Sequence, residues 1–301
     1  MEETTKRLWW VFLMILASSC NPTAAVPTPT PLAIVIPAAA SPVEPPPPPF
    51  PLAAPSPPPA SPPVTGYVLR DERLVDGYAI RLWGDPADTI GYANLLLIEQ
   101  TGVEPLQIEM ASAIHPQTGS DLNNDGFPEV VVETYSGGAH CCLGTFVYSL
   151  RDAPLLILQK PGSNAGGQFQ DLNGDDIYEF ITYDDLFAYR YCAYAFSPSV
   201  KVILAYDSSK QLYLPASPLF LEQYAQDIVQ HTAQAQDNVS DFIGDDGTPK
   251  CAVLPLVLDY LYLGQTEKAH QELLRLYPYP DAEAFWNEVL SSVQQSPLYT
   301  P

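Results

Sequence analysis

Two nine-residue stretches of this chain place oxygen donors where a single hard cation needs them. One runs Asp121-Leu122-Asn123-Asn124-Asp125-Gly126-Phe127-Pro128-Glu129; the other runs Asp171-Leu172-Asn173-Gly174-Asp175-Asp176-Ile177-Tyr178-Glu179. Carboxylate or amide oxygens stand at positions 1, 3, 5 and 9 of each. Alternate residues of a tightly curled loop point inward together, and Ca2+ takes six to eight oxygens at roughly 2.3–2.6 Å. The candidate ligands are Asp121, Asn123, Asp125 and Glu129 in the first loop and Asp171, Asn173, Asp175 and Glu179 in the second. The position-7 backbone carbonyls of Phe127 and Ile177 complete the two sets. Gly126 suits the sharp bend; Asp176 stands there in the second copy, and Asp tolerates unusual backbone angles better than most residues.

Without a metal such loops repel themselves. Each like-charge pair among Asp121, Asp125 and Glu129 costs about 1 kcal/mol at 4 Å in water and roughly 4 kcal/mol at an effective dielectric of 20. A divalent cation reverses that sign. Solvated turns account for Asp, Asn and Gly in one copy alone. Two copies, each running straight into an apolar strand (Val130-Val131-Val132 and Phe180-Ile181-Thr182), point to calcium.

The pattern differs from an EF-hand, which needs a bidentate Glu at position 12. Val132 and Thr182 stand there instead. A donor at position 9 followed by a strand resembles the FG-GAP/VCBS family of extracellular repeats, the calcium-binding blades of integrin-like β-propellers. The resemblance covers roughly residues 115–215, and Tyr135-Ser136-Gly137-Gly138-Ala139-His140-Cys141-Cys142 is similar to a stretch in bacterial relatives of such proteins. A full propeller takes typically four to eight blades; this chain has room for about two or three units. The expected fold class is α+β: an antiparallel β-rich domain of blade-like repeats over 66–215, as a partial propeller or a sandwich, then a small helical region over 216–301.

Composition narrows the setting. The 301 residues carry a formal charge of −22 with a pI near 4.2. From residue 66 onward 11 Lys and Arg face 32 Asp and Glu, which excludes nucleic acid as a partner because phosphate binding needs a basic footprint. At the N-terminus Lys6 and Arg7 precede the apolar run Leu8–Ala17. That run is too short for a bilayer span of about 20 residues and fits a secretory signal. Leu16-Ala17-Ser18-Ser19-Cys20 resembles a bacterial lipobox, which implies a signal peptide over 1–19 and lipidation of Cys20. Residues 20–65 then read as a tether, since 18 of the 33 prolines lie between Asn21 and Pro63. Such sequence favours extended polyproline II at about 3.1 Å per residue, a reach on the order of 100 Å. The expected location is extracytoplasmic, lipid-anchored to a bacterial cell membrane.

Beyond the tether the text is β first, then α. Alternating apolar runs predict strands over 68–75 and 78–83 around the hairpin turn Asp76-Gly77, then over 95–99, 106–110, 130–135, 145–150, 155–159, 180–183, 192–196, 202–206 and 211–214. Ser217-Pro218 reads as a capped helix start, with helix to about Gln236. Asp237–Lys250 reads as a loop, and Asp241–Gly247 within it has poor donor spacing for a third metal loop. Helices follow over 252–263 and 266–276. Leu256, Tyr260, Gly264 and Ala269 resemble one tetratricopeptide repeat, although a plain αα-hairpin packed on the β domain fits better because a solenoid needs several copies. Asp281 caps a last helix to about Gln295.

Export would place Cys141, Cys142, Cys192 and Cys251 in an oxidising space, and their even number predicts disulfides. Neighbours on a strand point to opposite faces, so one of Cys141 and Cys142 is expected to reach Cys192, with Cys251 within the options of the other; four cysteines allow three pairings, and the sequence leaves the connectivity open. His140 reads as a local hydrogen-bonding residue, and His115, His231 and His270 show no partner pattern. No C-x-x-C, H-E-x-x-H or G-x-S-x-G is present. The reading is a membrane-tethered, calcium-stabilised binding module rather than an enzyme, with an envelope protein or glycan as ligand. The alternative is a calcium-dependent hydrolase of envelope polymers using Asp184 and Asp185, which otherwise read as a solvated turn. Cys20→Ala is expected to move the protein from the membrane to the soluble fraction; unchanged attachment refutes acylation at Cys20.

Overall fold

The computed structural model describes residues 56–239 and 248–301. The signal, Cys20, most of the tether and Asp241–Gly247 lie outside the described residues. Three four-stranded antiparallel meanders follow one another along the chain. The first holds β1 (Val68–Val75), β2 (Tyr78–Gly84), β3 (Leu95–Glu99) and β4 (Leu106–Glu109). The second holds β5 (Ala111–Ile114), β6 (Glu129–Tyr135), β7 (Leu143–Leu150) and β8 (Pro154–Ser163). The third holds β9 (Gln168–Gln170), β10 (Glu179–Asp184), β11 (Val200–Asp207) and β12 (Leu212–Pro215). Asp76 and Gly77 both take positive φ, 48° and 82°, the twist a two-residue hairpin needs. Each acidic nonapeptide joins the first two strands of its meander: β5 to β6, and β9 to β10.

Two strands escaped the pattern reading. β5 is four residues long and β9 only three, too short to display alternation. Conversely, the strand expected over 192–196 is absent; Tyr194–Phe196 forms a 3-10 turn. This apolar stretch belongs to an aromatic surface loop, so its hydrophobicity reports ring packing rather than a pleat.

The meanders pack face to face. Val130 and Val132 of β6 enter a core with Tyr78, Ile80, Leu82, Leu96 and Ile98 of the first sheet. Val131, on the opposite face, joins a core with Phe169, Phe180, Val202, Leu204 and Tyr213 of the third. A strand buried on both faces needs an unbroken apolar run, which explains three consecutive valines. Full burial of each aliphatic side chain contributes about 1.5–3 kcal/mol. β2 is buried along its whole length, including Arg81. That guanidinium is matched by Glu72 at 2.6 Å and Glu99 at 2.8 Å, and it donates to the Pro58 carbonyl at 2.8 Å.

The helical part comprises α1 (Ala225–Val239), α2 (Thr248–Tyr262), α3 (Thr266–Leu276) and α4 (Ala282–Val293). α2 inserts Val253, Leu254, Leu256, Val257, Leu258 and Leu261 into the core shared with the third sheet. A helix apolar on nearly every side is an interior helix. Ser217 does not cap α1. It lies in a 3-10 turn, and its hydroxyl oxygen accepts from the Ile203 amide (3.0 Å) and from Tyr224 Oη (2.9 Å), tying the turn to β11. α1 and α2 also extend further into the expected 237–250 loop than polarity suggested. Asp281 precedes α4 without capping it, because its carboxylate instead takes Tyr277 Oη at 3.0 Å and Lys250 Nζ at 2.8 Å.

The disulfides correct the expected pairing. Cys141 bonds to Cys142, and Cys192 bonds to Cys251. The alternation argument fails because Cys141 and Cys142 lie in the turn before β7, not on a strand. The Cys192–Cys251 bond joins the loop after β10 to α2 across 59 residues of sequence. Cys251→Ser is expected to cost about 2–4 kcal/mol in equilibrium denaturation by the loop-closure argument; an unchanged midpoint would show that packing of α2 alone holds this junction.

Candidate metal centre

The two nonapeptides fold alike, atom for atom along most of their length. In the first, the Asp125 amide donates to Asp121 Oδ1 (3.2 Å) and Asn123 Oδ1 (3.1 Å), Gly126 to Asp121 Oδ2 (2.9 Å), and Phe127 to Asp125 Oδ1 (3.0 Å). In the second, Asp175 donates to Asp171 Oδ1 (3.3 Å) and Asn173 Oδ1 (3.0 Å), Asp176 to Asp171 Oδ2 (3.2 Å), and Ile177 to Asp175 Oδ1 (2.9 Å). Positions 4 and 6 take the left-handed conformation in both: Asn124 and Gly126 in one, Gly174 and Asp176 in the other. Glycine and an Asx residue exchange places between the copies, and both classes tolerate that region.

Position 9 closes each ring. The Leu122 amide donates to Glu129 Oε2 at 2.6 Å, and Leu172 donates to Glu179 Oε2 at 2.9 Å. The loops also meet. The Tyr178 amide of the second donates to the Leu122 carbonyl of the first at 2.8 Å. Leu122, buried in the core, is thus held by its own loop through its N–H and by the next loop through its C=O.

The first loop is the more enclosed. Glu129 is fully buried. Burial pushes its carboxyl up to about 8, the Leu122 amide and the Ser149 hydroxyl only partly offset this, and the nearby Asp125 and Asp121 charges add to the rise. Its other oxygen, Oε1, is sealed from solvent, and its neighbour is the equally buried hydroxyl of Ser149, opposite it across the β6–β7 ladder. Oxygens of Asp121, Asp125 and Glu129 all lie within 4.8 Å of one another. A sealed carboxylate gathered with two further carboxylates is what a cation would complete. The donor set is oxygen throughout, which suits Ca2+ over softer metals.

Sequence reasoning missed Arg151. Its guanidinium pairs with Asp125 and lies over the Phe127 ring at 5.0 Å, while its Nε is buried without a partner. It supplies positive charge to the carboxylate cluster from the β7–β8 turn, where the text showed only a hairpin. The second loop is more open, with Asn173 and Asp175 exposed. Burial likewise raises the Glu179 carboxyl above its ordinary value.

The remaining candidates have other roles. Asp184 is not a solvated turn. It is buried, accepting from Tyr262 Oη at 2.6 Å and from Ser296, so it brackets β10 to α2 and to the chain after α4. Asp185 accepts from the Asn164 amide at 3.0 Å. His140 packs tilted against Tyr194 with centroids 3.7 Å apart. His270 reaches Glu283 at 3.1 Å and stacks on Trp286, and His231 pairs with the buried Asp259. No sequence signal marks these pairs, which only the helix packing creates.

The chain has distant relatives. It is 26% identical over 205 residues to a probable thylakoid lumen protein of Synechocystis sp., covering 67% of this chain and 57% of that protein. It is 24% identical over 102 residues to an uncharacterized protein of Sinorhizobium fredii, covering 34% of this chain and 16% of that one. The chain thus spans little more than half of the first relative and a small part of the second. No family model and no solved structure matches it. No described helix is long and apolar enough to cross a membrane.

Glu129 sets a pH dependence whose sign follows from its burial. The ordinary carboxyl value is 4.5 and the folded value about 8. Between them the metal-free native state binds more protons than the unfolded chain, so stability falls as pH rises through that window. In EDTA the melting temperature is expected to drop from about pH 5 to about pH 8, and Glu129→Gln to flatten the drop. A drop of equal size in Glu129→Gln assigns it to other groups.

Proposed function

We propose that this chain is a membrane-tethered, extracytoplasmic binding module whose β-rich part is held together by structural Ca2+ in two loops. The observation that carries the reading is the fully buried Glu129, whose carboxylate gathers with those of Asp121 and Asp125 so that an oxygen of each lies within 4.8 Å of the others. The ligands would be Asp121, Asn123, Asp125, Glu129 and the Phe127 carbonyl in one loop, and Asp171, Asn173, Asp175, Glu179 and the Ile177 carbonyl in the other. Ion binding would offset repulsion among carboxylates and add its free energy to folding, because the unfolded chain has no such cage. The three meanders would then be blades of a partial propeller with a calcium loop opening the second and third.

Location is supported by the lipobox-like ending at Cys20, by two disulfides, and by the relative's name, since a thylakoid lumen lies outside the cytoplasm. The acylated N-terminus would tie the chain to a bacterial cell membrane. An envelope protein or glycan would meet the loops after β2, β6 and β10. Those loops bring rings together across the sheets: Tyr92 stacks on Tyr135 (5.7 Å), and His140 packs against Tyr194 and Tyr189. The burial of Asp184 in a structural bracket weighs against the hydrolase alternative.

Calorimetric titration of the full chain with calcium tests the reading. Two ions per molecule are expected, with Asp125→Ala and Asp175→Ala each removing one. Chelation should lower the melting temperature and excess calcium restore it. Absence of heat and of any calcium-dependent shift in melting would refute the proposal.

A further inference from the structure

A second built site lies away from the metal loops, among the helices. A cavity of about 470 Å³ opens between α1, α2 and the segment Ala195–Ser199. This is within the size range of small-ligand pockets, about 300–1,000 Å³. His231 of α1 lines it, with Nδ1 2.6 Å from Oδ2 of Asp259 on α2. Asp259 is 1% exposed, so the pair fixes the ring by a carboxylate that no solvent reaches. In the neutral imidazole, an Nδ1 proton given to Asp259 leaves Nε2 as an acceptor.

The rest of the wall is also rich in acceptors. Pro255 lies inside α2 and has no N–H, so the Cys251 carbonyl lacks the donor that residue i+4 normally supplies. Both residues line the cavity. Ser197 and Ser199 face it from the other side, and the exposed Phe196 brings an aromatic ring to its rim. No lysine or arginine is among the lining residues. An aromatic ring, a carboxylate-backed imidazole and a carbonyl short of its helical donor make a surround for a positively charged N–H donor, and Lys201, whose charge reaches Asp259, is held by Asp227.

We propose that this cavity binds an organic ammonium group, a primary amine borne by a small molecule or by a side chain of a partner, with His231 as its oriented acceptor. The site is independent of the calcium reading. The amine enters past Phe196, donates to His231 Nε2 and to the Cys251 carbonyl, and draws on the Asp259 charge behind the imidazole.

The test uses the full chain in excess calcium, with cadaverine as probe and 1,5-pentanediol as its uncharged counterpart. Binding is followed by the His231 ring resonances in NMR. Cadaverine is expected to shift them saturably and to bind at least about tenfold more tightly than the diol, a difference of about 1.4 kcal/mol. Ala252→Trp fills the cavity from α2 and leaves the His231–Asp259 pair in place; it should weaken cadaverine about tenfold or more without removing the pair. His231→Gln, followed by calorimetry, should weaken it comparably and serves where the tryptophan variant does not fold. Equal affinity for diamine and diol, no saturable shift, or undiminished binding in the folded variants overturns the proposal.

Discussion

A carboxylate oxygen sealed inside an acidic protein is the constraint on which the β part turns. Glu129 cannot leave its position, because it opens β6 and one of its oxygens holds the Leu122 amide. It cannot ionise comfortably either, because Asp121 and Asp125 face it and solvent does not. A buried charge without a partner costs several kcal/mol, which proteins avoid by pairing, protonation or metal. Here protonation is the resort of the cation-free state, and Arg151 neutralises only Asp125.

That tension sits at a structural crossroads. β6 has one face toward the first sheet and the other toward the third, so the residue that launches it governs the alignment of both interfaces. Leu122 reinforces the point. Its side chain enters the core, its N–H belongs to the first ring and its C=O to the second. A change in the geometry of either loop is therefore felt by the other through one residue. The loops are repeats in sequence, and in space they are one joined unit.

Much of this was legible beforehand. The two nonapeptides, the strands that follow them, the Asp76-Gly77 hairpin and the α3 boundaries all carry local signals: donor spacing, alternation, turn chemistry, helical period. What escaped lacked local signals. β9 is too short to alternate. In the 192–196 segment Tyr194 packs on His140 and Tyr189, and no pleat forms. Asp184 looked solvated because its partners, Tyr262 and Ser296, are 78 and 112 residues away. Arg151 and the His231–Asp259 pair are invisible for the same reason. The cysteine pairing was misjudged by applying strand geometry to residues that lie in a turn.

The last proline-rich residues are knitted to the first sheet, with the Pro58 carbonyl on Arg81 and the Ser56 carbonyl on Thr101 Oγ1 at 2.7 Å. Any pull arriving along the backbone from the N-terminal side is thereby divided. Part of the load goes into the buried guanidinium of the second strand, held by a glutamate from each of the strands beside it, and part into the loop after the third.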